Sequence, residues 1–427
     1  MAVWPRVVWT LVAVAAMFAA GRMTLPGVNR VELAHVIAHG THLSWGAMSL
    51  ISVVALGLRP LVTAFVLVEV VALAVPRWRP LRQLPEGRRR LAYAVAATAI
   101  LLALVQAHFV ALYLDALDRG GAEIVASHME ALITVTLVGG TMFLVWLVSV
   151  INRRGIGNGY AVLMVAGWLM SPYWGGFAEH TWLVLVLAAL AITGVVVVVV
   201  VLTRMRVAAP GGAPIPLPSS GLMPLSELGG AMVAIKQLIA LGMALPLAAA
   251  TVIQSAESLL VVAVAVLIAA TVAWSWLFTR PTLRRSVLAR SGYAEPDLRT
   301  WMRATVLSAI GLAVIFIVMF VTRREVPELG VLADPFVIAF IAATLLDLVD
   351  EARARRQALV AVWPLHDPIL AAVVRDHLRA AEIPHHLQAS RLRSLLWFFG
   401  PYVPIMVLVP ESHAVATEQR LRALLAE

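Results

Sequence analysis

The chain has 427 residues, of which 61% are hydrophobic and 13% charged, and it contains no cysteine. Mean hydropathy is +0.90. A soluble domain carries about 25% charged residues, so this composition excludes a cytosolic enzyme, a disordered chain and a disulfide-stapled secreted domain. It also excludes thiolate catalysis and thiolate metal sites. What remains is a polytopic membrane protein. The formal net charge is +9. Lys236 is the only lysine, and the arginines fall in short loops between apolar stretches, where they act first as topology signals rather than as a nucleic-acid footprint.

A membrane helix needs about 20 mostly apolar residues. On that measure the chain reads as ten spans, over about 5–22, 49–75, 91–114, 131–151, 158–175, 181–203, 228–250, 257–279, 303–322 and 333–350. The predicted fold class is all-α and polytopic, with a small α+β domain at the C-terminus. The first apolar run lacks a clear small-residue cleavage site, so it is expected to stay as a span. Arg6, the cluster Arg77–Arg90, Arg153, Arg154, Arg204, Arg206, the cluster Arg280–Arg299 and Arg353–Arg356 fall on one side. Only Arg22, Arg30, Arg119, Arg323 and Arg324 fall on the other. The positive-inside rule then puts both termini in the cytoplasm.

Between spans 1 and 2, residues 24–48 are too polar to cross a membrane and read as a short half-inserted helix. His35, His39 and His42 share one helical face there, a spacing that suits a metal or a pH response but more simply a solvated face. Within span 2, Arg59 and Glu69 are intramembrane charges, which by default are functional candidates. Ten residues apart, they are read as nearly sharing a face, about 15 Å apart at 1.5 Å rise per residue, too far for a direct pair. Residues 207–224 are rich in Pro, Gly and Ser and read as a loop without regular structure. Gly155–Gly159 reads as a tight turn between spans 4 and 5 rather than a phosphate cradle. No Walker loop, dinucleotide fingerprint, nucleophile elbow or HExxH motif occurs. No cofactor or metal is therefore expected, and no catalytic residue.

After Arg356 the composition changes. Ala358–Trp363 reads as a strand and Asp367–Ala381 as a helix, with Asp367 as N-cap before Pro368. Ile383–Leu387 and Ile405–Val409 read as strands and Ser412–Leu425 as a closing helix. This predicts a cytoplasmic β-α-β-β-α domain over 357–427.

Several runs carry a family resemblance. Gly21–Asn29 ends span 1, Ser52–Ala64 runs through span 2, and Glu86–Arg90 with Ala103–Ala107 frames span 3. The most specific run is Gly140-Thr141-Met142-Phe143-Leu144-Val145-Trp146-Leu147 followed by Arg154-Gly155-Ile156-Gly157-Asn158-Gly159. Together they resemble SecY, the central subunit of the protein-conducting channel, over roughly residues 1–356. The tail resembles a small family of prokaryotic signal-transducing domains.

The resemblance implies two pseudo-symmetric five-span halves, 1–175 and 176–356, with a plug at about 30–48 containing Leu33, Val36 and Ile37. It implies an apolar pore ring of Leu58, Val62, Tyr160, Met164, Val233 and Phe340, which would block ions by dewetting. Thr63, Glu69 and Gln106 would lie at a lateral gate. It implies a bacterial inner membrane, a SecE-like small subunit, room for a SecG-like subunit, and a translocating polypeptide. Arg284, Arg285 and Arg299 would be the cytoplasmic docking residues. The chain departs from the family where SecA or a ribosome would dock. Residues 207–235 hold no Lys or Arg, and 291–300 lack the family's second loop motif. Two other readings stay open: a small-solute or lipid transporter gated by Arg59 and Glu69, and a regulatory scaffold with a sensing tail.

Overall fold

The computed structural model describes residues 3–29, 31, 51–78, 81, 85–118, 125–126, 128–169, 182–225, 256–279, 285–325, 334–355, 359–399 and 403–425. The chain divides into two compact units. One comprises Met1–Met170 with Phe398–Val403, the other Ser171–Trp397 with Pro404–Glu427. Among the described residues, six helices are long and apolar enough to cross a membrane. The predicted span 228–250 and the half-inserted segment 32–48, with its three histidines, lie outside the described residues.

The first unit is built from α1 (Val3–Arg22), α2 (Arg59–Ala74), α3 (Pro85–Asp118), α4 (Glu130–Arg154) and α5 (Gly159–Leu169). Helix α3 packs against α2 and α4, and α1 packs against α4 and α5. The second predicted span is shorter than expected. Residues 53–58 are turns, and the helix begins only at Arg59, with Pro60 in its first turn. Proline fixes φ and lacks an N–H, which suits a helix start and disfavours a helix interior. The turn segment is held by main-chain bonds, Leu25 N–H to Ile51 O at 2.8 Å and Val53 N–H to Met23 O at 3.0 Å. Beneath it Leu25, Ile51, Leu56, Ala107, Ala111, Leu114, Val125, Ile133 and Leu137 form one apolar core.

Gly140 sets how close α4 can approach this segment. A Cβ at residue 140 would lie 1.8 Å from the carbonyl oxygen of Val53. Backbone faces the helix there, so no side-chain rotation relieves the clash. Gly140→Ala is therefore expected to destabilise the first unit by about 1–3 kcal/mol, the usual cost of overpacking. A thermal unfolding series in detergent reads this, and an unchanged midpoint would refute the close approach.

The second unit begins with α6 (Trp182–Arg204), α7 (Ala256–Thr279), the short α8 (Arg285–Arg290), α9 (Leu298–Glu325) and α10 (Pro335–Ala354). Helix α9 packs against α6 and α7, and α10 against α6. Helix α9 starts where Asp297 Oδ1 accepts the Thr300 N–H at 2.8 Å. Helix α10 starts where Asp334 Oδ1 accepts the N–H groups of Phe336 and Val337 at 2.8 and 3.2 Å. A capping carboxylate satisfies donors that the first turn leaves unpaired.

Residues 207–224 correct the sequence reading. They carry two short strands, and exposure is confined to the start of the segment, at Ala208, Pro210 and Gly211. β1 (Arg206–Val207) pairs antiparallel with β2 (Ile215–Pro216), and every residue from Gly212 to Leu225 is buried. The segment holds no charged side chain, so burying it strands no ion.

The tail forms β3 (Leu359–Leu365), α11 (Pro368–Ala380), β4 (His386–Gln388), α12 (Ser390–Leu395), β5 (Ile405–Pro410) and α13 (Ala414–Leu425). The sheet is antiparallel in the order β3-β5-β4, with a register shift between Ala361 and Trp363. Asp367 caps α11 by accepting the Ile369 N–H at 2.8 Å, ahead of Pro368, as the sequence predicts. The second strand in chain order, β4, is displaced from the expected 383–387 to His386–Gln388, and α12 is an element the sequence does not announce. Glu382 and Ala389 have left-handed backbone, with φ of 53° and 60°, and these turns leave room only for a short strand between them.

His386 sits half-buried on β4, with its Nε2 buried and no hydrogen-bond partner to it. Desolvation holds its pKa below the usual histidine value, only partly countered by Glu351 and Asp350. The unfolded chain takes up a proton near pH 6.5 that the folded state resists. Stability is therefore expected to fall as pH drops through about 6.5. His386→Asn should flatten a melting curve series between about pH 5 and 7; an unaltered slope would assign the dependence to other groups.

Candidate functional site

In the first unit the candidate residues cluster around the start of α2 and the turn into α5. Leu58 immediately precedes α2 and is buried; Val62 and Met164 are half-buried and Tyr160 is buried. The Phe65 and Tyr160 rings meet edge to face at 5.3 Å, which brings α2 and α5 together. Phe65 also meets Phe399, from the 398–403 segment that belongs to this unit, at 5.3 Å. Phe65 was missed in the sequence. Its signal was there: seven residues after Leu58, it nearly repeats that residue's helical angle.

Tyr160 is positioned by the turn 155–159. Asn158 Oδ1 accepts the N–H groups of Tyr160 and Ala161 at 3.0 and 3.3 Å, and Asn152 Oδ1 accepts that of Gly159 at 2.7 Å. Gly157 adopts φ of 81°, a left-handed backbone that glycine takes without strain. The turn is clamped to α1. Ile156 N–H donates to Thr10 Oγ1 at 2.9 Å, and Arg6 donates to Gly155 O at 3.2 Å. A Cβ at residue 155 would lie 2.6 Å from Thr10 Oγ1. Arg154, at the end of α4, lies 5.0 Å over the Trp9 ring. The glycines of this motif serve a tight turn and a close helix contact, and no phosphate is needed to explain them.

Thr63 is exposed, Gln106 is half-buried and Glu69 is 2% exposed. The expectation that Arg59 and Glu69 nearly share a face is corrected. Arg59 is exposed at the first turn of α2 while Glu69 is buried two to three turns on. Ten residues at about 100° each leave them roughly 80° apart around the helix. Thr63 Oγ1 donates to Arg59 O at 3.0 Å within its own helix.

In the second unit Phe340 is fully buried and tilts against Phe336 at 6.0 Å between ring centres. Arg285 is exposed and its Nε pairs with Glu295 at 2.6 Å; Arg299 is exposed on the first turn of α9. Val233, Arg284, Leu33, Val36 and Ile37 lie outside the described residues. Among the described residues, no group of three or more His, Asp or Glu could hold a metal ion.

Residues 52–211 match the SecY family model. This stretch is similar to the SecY family. Its similarity to the SecY of Thermotoga maritima is 32% identity over 158 residues, 34% of this chain and 36% of that one. With Rickettsia conorii SecY it is 30% over 177 residues, 38% of this chain and 40% of that one. With Vibrio cholerae SecY it is 33% over 161 residues, 35% of this chain and 36% of that one. The matched stretch thus spans between a third and two-fifths of these SecY relatives.

The fold likeness extends further. A solved protein-conducting channel aligns with 83% of this chain and 93% of its own at TM-score 0.50 and 14% identity. Sec61 from a canine ribosome–channel complex of the endoplasmic reticulum aligns over the same shares at TM-score 0.51 and 14% identity. The chain is a multi-pass membrane protein with a SecY-like helical fold. The SecY-like region contains α2 and α5, their Phe65–Tyr160 contact and the turn clamped by Thr10.

Thr10→Val keeps the shape of the side chain and removes the acceptor for Ile156 N–H. Stranding a buried donor costs about 1–3 kcal/mol. The variant is expected to melt earlier than wild type, while Thr10→Ser should restore most of the loss. Equal melting of Val and Ser variants would show that the clamp is idle.

Proposed function

We propose that the chain is a SecY-like channel subunit through which polypeptides cross or enter a bacterial inner membrane. The observation that carries this reading is the SecY match over 52–211, a region that holds four of the six candidate ring residues. Leu58, Val62, Tyr160, Met164, Val233 and Phe340 would form an apolar constriction. Such a ring blocks ions by dewetting and yields to a chain that wedges it open. Leu33, Val36 and Ile37, in the segment 30–48, would act as the plug. Thr63, Glu69 and Gln106 would line the lateral exit. The halves would be 1–175 and 176–356, a division supported by the chain's partition into two compact units near the same point. Both termini would face the cytoplasm, as the arginine distribution supports.

The subunit would supply a passage and leave energy to another component or to the proton-motive force. A SecE-like clamp helix is the expected partner, with room for a SecG-like subunit. Arg284, Arg285 and Arg299 are the remaining basic docking candidates. Arg285 is already engaged with Glu295, which argues for weak attraction to an acidic or RNA surface. The transporter reading loses support because Arg59 and Glu69 sit in different environments on α2.

Leu58→Asn combined with Val62→Asn is expected to raise resting ion conductance several-fold in planar bilayers. Unchanged conductance with protein inserted normally would remove these residues from any seal. Co-purification of a one- or three-span SecE-like chain is the second expected result, and a stable, active lone subunit would count against the channel reading.

A further inference from the structure

The second unit carries a surface that looks built for a partner and is already covered. It consists of the buried segment 212–225 and the short connection around α8, residues 285–297. Ser219 fastens the segment to the helices. Its N–H donates to Ser308 Oγ at 2.8 Å, and its hydroxyl shares hydrogen bonds with Ser275 and Ser308 at 2.8 and 3.1 Å. Ser275 continues the chain to Thr305 at 2.8 Å. Ala294 bonds across to the same segment, donating its N–H to Gly211 O at 2.9 Å and accepting from Ala213 N–H at 3.1 Å.

The cover is the C-terminal domain. Leu222 N–H donates to Leu395 O at 2.7 Å, and Trp397 Nε1 donates to Pro218 O at 3.2 Å. The Trp397 ring stacks on Phe278 at 5.5 Å. Val287 of α8 is buried in one apolar core with Leu370, Val374, Leu378, Leu421 and Leu424 of the domain. Asp376 meets Arg206 at 3.8 Å and accepts the Tyr293 hydroxyl at 3.4 Å. The last turns of α10 hold the domain from the other side. Asp347 accepts the N–H groups of Arg391 and Leu392 at 3.2 and 2.8 Å, and Asp350 takes two bonds from Arg391 at 2.8 and 2.6 Å. Gln388 donates to Glu351 at 2.8 Å.

We propose that 207–225 and 285–297 form a docking surface whose partner is this chain's own C-terminal domain, permanently seated, so that no separate protein uses that surface. Three observations separate a permanent seat from a mobile sensor. Val287 of the surface is built into the domain's own apolar core, and Trp397 of the domain stacks on Phe278, as in obligate interfaces. Segment 207–225 has no charge to steer a reversible partner. Lifting the domain would strand Asp347 and the Pro218 carbonyl without the donors that satisfy them. The inference stands apart from the channel reading, since it concerns only what covers this surface.

The test uses the full chain with a protease site placed at Gln357, between α10 and β3. After cutting, the two fragments are expected to co-elute in detergent gel filtration. Amide exchange of 213–225 should stay within about two-fold of the uncut protein. A cysteine at Ser220 (S220C), isosteric and fully buried in a cysteine-free chain, should resist a bulky maleimide before and after cutting. Separation of the fragments, or labelling of S220C at the rate of the denatured chain, would overturn the proposal. Arg391→Ala supplies a control that leaves the fold's apolar core intact. Co-elution should survive it, and loss of co-elution would show that the seat rests on one ion pair rather than on a shared core.

Discussion

Burial imposes one requirement on every segment of this chain that leaves a helix. A main-chain N–H or carbonyl shut away from water must find a partner inside the protein. The irregular segments of this molecule are organised by that requirement. Thr10 takes the Ile156 N–H at the turn into α5. Met23 and Ile51 carry the turn before α2 through main-chain bonds. Ser219, Ser275, Thr305 and Ser308 do the same for the segment after α6, with hydroxyls in place of water. Helices supply the apolar bulk, and these few polar side chains decide where the chain can turn.

The same requirement explains why glycine and small hydroxyl residues carry so much positional information here. Helices that are apolar all round gain little from patterning, since a lipid tail is as good a neighbour as leucine. Close approach and hydrogen bonding then decide which helices meet. Gly140 admits the Val53 carbonyl, and Gly155 admits Thr10. Both glycines lie in runs that resemble SecY and in the matched region 52–211. The family resemblance is therefore also a record of close contacts. The fold likeness to a solved channel runs over 83% of the chain at 14% identity, so it extends well beyond the matched stretch.

The change in the loops has a physical logic. In the second unit segment 207–225, which has no Lys or Arg, is covered by a domain in the same chain, with the ion pairs Arg206–Asp376 and Asp350–Arg391 beside it. Covalent attachment keeps the local concentration of such a partner high at all times. Long-range electrostatic attraction then has little left to do. The low charge at 207–225 and the presence of the tail are two sides of one arrangement.

Much of this was legible in the sequence. Composition gave the membrane, and the apolar runs gave most helices to within a few residues, because helix formation in lipid is dictated by local hydropathy and length. Asp367 before Pro368 announced a helix start, since capping is a local matter. The runs at Gly140–Leu147 and Arg154–Gly159 pointed to the SecY family. Three things waited for the tertiary structure. The start of α2 depends on how 51–58 packs on Leu25 and Gly140, which hydropathy cannot report. Arg59 and Glu69 part company because burial is set by neighbouring helices rather than by spacing alone. Residues 207–224 read as a loop without regular structure because Pro, Gly and Ser usually mean one. Their burial follows from groups far along the chain, the side chains of Ser275, Ser308 and Trp397 and the Leu395 carbonyl, and only folding brings those to one place.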